Sequence, residues 1–154
     1  AVTNIVNGMG LSATNDHPYA NVGWNQNVSA SLIHGGITVT TKTRSAGAGT
    51  IQLGNVPDGY YFIHGQFHMN TTGGTPGASG NANLTVGVQS VQDAFVDETT
   101  VVESGGGARI NGSAGILMRI VPGYVVELLL GSGGITWNNS PYEFCLSVLW
   151  VSSP

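Results

Sequence analysis

The chain has 154 residues, 41% hydrophobic and only 8% charged, and its four Lys and Arg against eight Asp and Glu leave a formal charge of −4. Charged residues usually make up about 25% of a domain. So few cations cannot neutralise a phosphate backbone or form a polybasic membrane anchor, so neither nucleic acid nor membrane is expected as a partner. The length suits one domain, and the hydrophobic fraction is too high for a disordered chain. The single cysteine, Cys145, permits no intrachain disulfide. No secretory signal is read in residues 1–10, and no apolar run approaches the ~18 residues of a spanning helix.

Residues 1–20 read as an N-terminal arm, broken by Gly8 and Gly10 and carrying the sparse apolar residues Val2, Ile5, Val6, Met9 and Leu11. Residues 21–154 read as the folded domain. From Val22 the period is two, which predicts a strand with Val22, Trp24, Val28, Ala30 and Leu32 on one face. Gly35-Gly36 turns the chain into the β-branched strand Ile37–Thr43, and Thr50–Leu53 follows. Pro57-Asp58-Gly59 signals a turn before the strand Tyr60–Met69. Thr72–Gly80 reads as a Gly-rich loop, and Leu84, Val86 and Val88 then alternate with polar residues. Asp93, Asp97, Glu98 and Glu103 read as a solvated loop, because no turn glycine and close oxygen spacing mark a calcium site. Three apolar strands close the chain, over 114–121, 124–130 and 142–151. No segment has a 3.6-residue period, so the prediction is an all-β antiparallel sandwich or barrel.

Two of the late strands are apolar on both faces. Tyr124, Val126, Leu128 and Leu130 share one face with Val125 and Leu129 opposite; Phe144, Leu146, Val148 and Trp150 oppose Cys145, Leu149 and Val151. A strand with one wet face alternates cleanly, so the second face is expected to meet another copy of the chain. Tyr124, Val126, Leu128, Leu130, Leu149 and Val151 are the expected interface residues.

Pro57-Asp58-Gly59-Tyr60-Tyr61-Phe62 resembles a strand of the tumour-necrosis-factor and complement globular-head jelly rolls. Ile116 to Leu128, an aliphatic–basic–aliphatic strand running through Pro122-Gly123 into a second strand, is similar to the late hairpin of that family, and Phe144–Leu149 to its closing strand. The ordered set covers roughly residues 50–151. It implies a ten-strand jelly roll with an extended arm, assembled as a homotrimer. Tyr124 stands where the family often has an acidic residue after the turn glycine, so calcium ligation at that turn is not implied.

Chemistry-bearing residues are scattered. His64 and His68 share a face but lie about 13 Å apart along a strand, too far to ligate one metal. Cys145 sits among aliphatics, where burial keeps a thiol inert. No nucleophile elbow or phosphate loop occurs, and no catalytic residue, metal or cofactor is expected. Trp24 and Trp150 read as core, while Trp137, between Gly134 and Asn138-Asn139, reads as an exposed residue able to stack on a sugar. A compact jelly roll behind a short arm looks most like a phage capsid decoration (cement) protein. The expected partners are two sister chains and a major capsid protein, the latter contacted by the arm, and the expected location is the capsid surface. The alternative is a receptor- or glycan-binding fibre or spike tip.

Overall fold

The computed structural model describes residues 17–70, 79–89, 109–135 and 137–154, and for 91–102 the strand path alone. The expected arm contacts Val2, Ile5, Val6, Met9 and Leu11 lie outside the described residues. Ten strands run in the order β1 (Tyr19–Asn25), β2 (Val28–His34), β3 (Thr38–Ser45), β4 (Ala48–Gly54), β5 (Gly59–Asn70), β6 (Ser79–Val88), β7 (Val91–Val102), β8 (Arg109–Ile120), β9 (Val126–Gly133) and β10 (Glu143–Ser152). They form two five-stranded antiparallel sheets, ordered β2-β1-β10-β5-β8 (sheet A) and β3-β4-β9-β6-β7 (sheet B). No helix occurs among the described residues. The protein is therefore an all-β sandwich, as its period-two patterning predicts.

Several boundaries differ from the sequence reading. The long strand expected over 22–32 is a hairpin. Gln26 and Asn27 both take positive φ (50° and 67°), the geometry of a two-residue turn whose twist matches antiparallel strands. The turn sends Val22 and Trp24 inward and puts Val28 and Leu32 on the opposite, outer side. Asp93, Asp97 and Glu98 belong to β7 and not to a loop. β1 begins at Tyr19, inside the expected arm.

The inner faces interdigitate. Sheet A contributes Val22, Tyr61, Ile63, Phe67, Met69, Phe144, Leu146 and Val148, and sheet B contributes Ile51, Leu53, Leu84, Val86, Val126, Leu128 and Leu130. Val126 and Leu128 are fully buried and Leu130 is 4% exposed within one chain. This corrects the expectation that they meet a partner: their face seals the sandwich, and the face of β9 left outside carries Glu127 and Leu129. Tyr124, also expected at an interface, packs half-buried against the same core. Trp137 is likewise corrected. It is 6% exposed and belongs to the core, packed beneath Gly47, whose φ of 68° no ordinary side chain adopts comfortably. The flanking glycines and asparagines that suggested exposure reflect the turns that tuck it in.

The sheets approach closely where glycine faces a large side chain. A Cβ at Gly49 would lie 2.5 Å from the Phe144 ring, and one at Gly65 2.2 Å from Leu128 Cδ1. Phe144 is fully buried and has nowhere to move. Gly49→Ala should therefore destabilise by about 1–3 kcal/mol, the usual cost of overpacking a filled core. Urea unfolding should show a lower midpoint at unchanged slope, with a smaller penalty when Phe144 is also shortened to Leu.

Candidate functional site

The outer face of sheet A is the most unusual surface of the described structure. The ladder registers fix which side chains share it. One row crosses all five strands as His34, Tyr19, Leu149, Phe62 and Leu117. The next runs Leu32, Asn21, Ser147, His64 and Gly115; beyond it come Ala30, Gly23, Cys145, Gln66 and Ser113. His68 opposes Glu143 on one side and Asn111 on the other. The face thus grades from apolar at one end to polar at the other.

Eight large hydrophobic side chains are exposed among the described residues, and seven of them (Val28, Leu32, Tyr60, Phe62, Leu117, Leu149 and Val151) belong to this sheet; Leu129 is the exception. Leu117 is 59% exposed, Leu149 50% and Phe62 40%, and the three are direct cross-strand neighbours. Such contiguity, rather than exposure of single residues, marks an interaction surface. Of the residues expected from the sequence to meet a partner, Leu149 and Val151 lie here, Val151 beside the register shift that ends β10. Tyr60, Phe62, Leu117, Val28 and Leu32 were not anticipated. The signal was present in the sequence: Tyr60-Tyr61-Phe62-Ile63 and Ile116-Leu117-Met118 are apolar on both faces, by the same criterion applied to the later strands.

The turn before β5 aims this surface. Tyr61 points inward, is fully buried, and donates its hydroxyl to the Pro57 carbonyl at 2.8 Å. Its neighbours Tyr60 and Phe62 must then point outward, because successive strand residues alternate. Asp58 accepts from Arg119 Nε and Nη2 at 3.2 Å each, a forked pair tying the turn to β8. Gly115 leaves room for the Phe62 ring, which a Cβ there would meet at 2.9 Å. Phe62 also lies against His64, ring centroids 6.1 Å apart.

The polar end of the face holds a shallow depression lined by Gln66, His68, Asn111, Ser113 and Glu143. His68 Nδ1 is 4.0 Å from Glu143 Oε2, and the Tyr142 ring leans on His68 with centroids 4.6 Å apart. Cys145 donates to Asn21 Oδ1 at 2.6 Å, and burial pushes its thiol above the usual range, which keeps it protonated and poorly nucleophilic. His64 and His68 share the outer face of β5, and among the described residues no group of three His, Cys, Asp or Glu side chains gathers to hold a metal. What this face offers is apolar area and shape. The chain matches no protein-family model, and a search of curated proteins finds no match to it.

The Tyr61 anchor has a measurable signature. Burial first, then the Asp58 carboxylate, raise its pKa from 10.0 to about 12. A phenol whose folded pKa is raised holds its proton more tightly when folded, so this contribution to stability is intact below pH 10 and lost as pH climbs toward 12. Unfolding free energy should fall across that window more steeply in the wild type than in Tyr61→Phe. At neutral pH the variant should be weaker by about 1 kcal/mol for the lost hydrogen bond.

Proposed function

We propose that this protein is a homotrimeric jelly roll of a virion, a decoration (cement) protein that caps threefold junctions of a capsid lattice and clamps neighbouring coat subunits. The observation that carries the assembly is the apolar row Tyr19–Leu149–Phe62–Leu117 on the outer face of sheet A. Sister chains are the economical cover for it, since three copies can turn this patch toward a common axis, where each is buried by its neighbours. Removing a large side chain fully from water is worth roughly 1.5–3 kcal/mol, and several side chains on this face are still about half exposed.

The strand order supports the jelly roll. First and last strands lie side by side in one sheet, and the chain crosses between sheets after β2, β4, β5, β7, β8 and β9. The capsid role draws on the resemblance set out above and on the layout of a compact sandwich behind a short apolar arm. Where the arm joins the domain, His17 stacks on Trp150 with ring centroids 3.8 Å apart, and Pro18 packs beside Gly35. His17 and Pro18 thus enter β1 at the pole that also holds Gly59 and the end of β10, next to the apolar end of sheet A. The arm's Val2, Ile5, Val6, Met9 and Leu11 suit strand addition to a coat-protein edge. Three linked footprints supply avidity that one chain lacks. Mechanically, bursting the shell then requires stripping the trimer as well.

Sedimentation should give a particle of three 15.8-kDa chains. Replacing Phe62 and Leu117 together by Asp should reduce it to single-chain mass with the strand circular-dichroism signal unchanged. A wild-type particle of single-chain mass at micromolar concentration overturns the assembly. Removing residues 1–16 should leave the trimer intact while abolishing binding to undecorated capsids of the cognate virus; retained binding overturns the tether.

A further inference from the structure

At the pole opposite the arm, four segments converge on an open cleft of about 480 Å³ lined by Asn27, Arg44, Asn70, Asn139, Ser140 and Tyr142. A ten-residue strand separates the poles, roughly 33 Å at ~3.3 Å per residue. The floor is built in advance by hydrogen bonds. Asn139 O accepts from Gly47 N (3.2 Å), Tyr142 O accepts from Asn27 N (2.9 Å), and Tyr142 N donates to His68 O (3.1 Å). Arg44 Nη1 donates to Pro141 O at 2.8 Å and to Asn27 Oδ1 at 3.0 Å, and its guanidinium lies 4.6 Å from the centre of the Trp24 ring.

Among the described side chains, the charge around this cleft is unbalanced. Lys42 sits over the same ring at 4.7 Å, and burial and then the nearby Arg44 hold its ammonium below the usual lysine range, against the opposing influence of Cys145. The carboxylates whose side chains are described are engaged elsewhere, Asp58 with Arg119, Glu127 with Gln52 and Glu143 with His68. No carboxylate among the described side chains pairs with Lys42 or Arg44. A planar guanidinium that lines a polar cleft with no such partner suits an incoming carboxylate, which it binds with two parallel hydrogen bonds. The remaining lining narrows the class. Three primary amides and a hydroxyl both donate and accept, which fits neutral hydroxyl groups beside the carboxylate. Tyr142 adds an aromatic ring with a polar tip.

We infer that this cleft binds an acidic saccharide, with Arg44 taking the sugar carboxylate and Asn27, Asn70 and Asn139 its hydroxyl groups. The site uses none of the residues of the proposed trimer face, so it stands whether or not the capsid reading holds.

The test is binding of the isolated protein to an array bearing glucuronate-, galacturonate- and sialate-terminated glycans beside their neutral counterparts, followed by titration of the best binder. Acidic glycans should be retained and neutral ones lost. Arg44→Gln should weaken the titrated affinity by about 10- to 100-fold, as expected for a hydrogen-bonded charge, and Arg44→Lys by less. Because Arg44 also braces the floor, Asn139→Ala is the second variant: it is exposed, should fold normally, and should weaken binding by roughly three- to tenfold. An array blank for every acidic glycan, equal binding of the neutral counterparts, or full affinity in a folded Arg44→Gln or Asn139→Ala protein overturns the proposal.

Discussion

A two-sheet sandwich has four faces, and folding seals only the inner two. In this chain the inner pair closes because glycine stands under the largest side chains, Gly49 beneath Phe144 and Gly65 beneath Leu128, bringing the sheets close. The outer faces then diverge. That of sheet B carries a polar cross-strand ladder in which Thr41 donates to Gln52 and Gln52 to Glu127, with Leu129 as its exposed large hydrophobic among the described residues. That of sheet A carries the other seven. A domain that solvates the described part of one outer face with side-chain hydrogen bonds and leaves one end of the other apolar has a direction, and direction is what an assembly interface needs.

The all-β class was legible because period-two alternation of burial runs through β4 and β5 and most of β6 and β10. The existence of a third apolar face was legible too, since doubly apolar strands must cover both sides. Which side faces inward was not. Tyr124-Val125-Val126-Glu127-Leu128-Leu129-Leu130 offers hydrophobic residues in either phase, and the phase is set by pairing with β4 and β6, which no local pattern reveals. The hairpin at Gln26-Asn27 was hidden for a related reason. The apolar–polar alternation of the sequence runs on through the turn although the turn inverts which phase faces inward, so the segment reads as one continuous strand until positive φ values expose the break.

Trp137 and Arg44 show the same limit at the sites. A tryptophan among glycines and asparagines reads as exposed, yet Gly47 gives it a place in the core. Arg44 falls just beyond the strand read over Ile37–Thr43, and nothing in its neighbourhood in sequence singles it out. Its role in the cleft depends on Asn27, Asn70 and Asn139, which are brought together by hydrogen bonds spanning 17 to 97 residues of sequence. Residues that pack leave a periodic trace; residues that converge from separate loops leave none.

Scarcity of charge ties these features together. Of four Lys and Arg in the chain, Arg119 braces the turn that orients Tyr60 and Phe62, while Lys42 and Arg44 gather over Trp24 at the far pole. The apolar row is therefore flanked by Arg119 near its β8 edge but interrupted by no ionic side chain between Tyr19 and Leu117. A single charge inserted into that row would have to be desolvated whenever the face is covered. Its absence from four neighbouring strands leaves this row free to be buried by a neighbour at little electrostatic cost. The polar end, with His64, Gln66, His68 and Glu143, has groups that would resist such burial. Contact in the proposed trimer is thus expected to be tightest at the arm pole and to open toward the cleft, which keeps the acidic-sugar site facing solvent while the arm reaches the lattice.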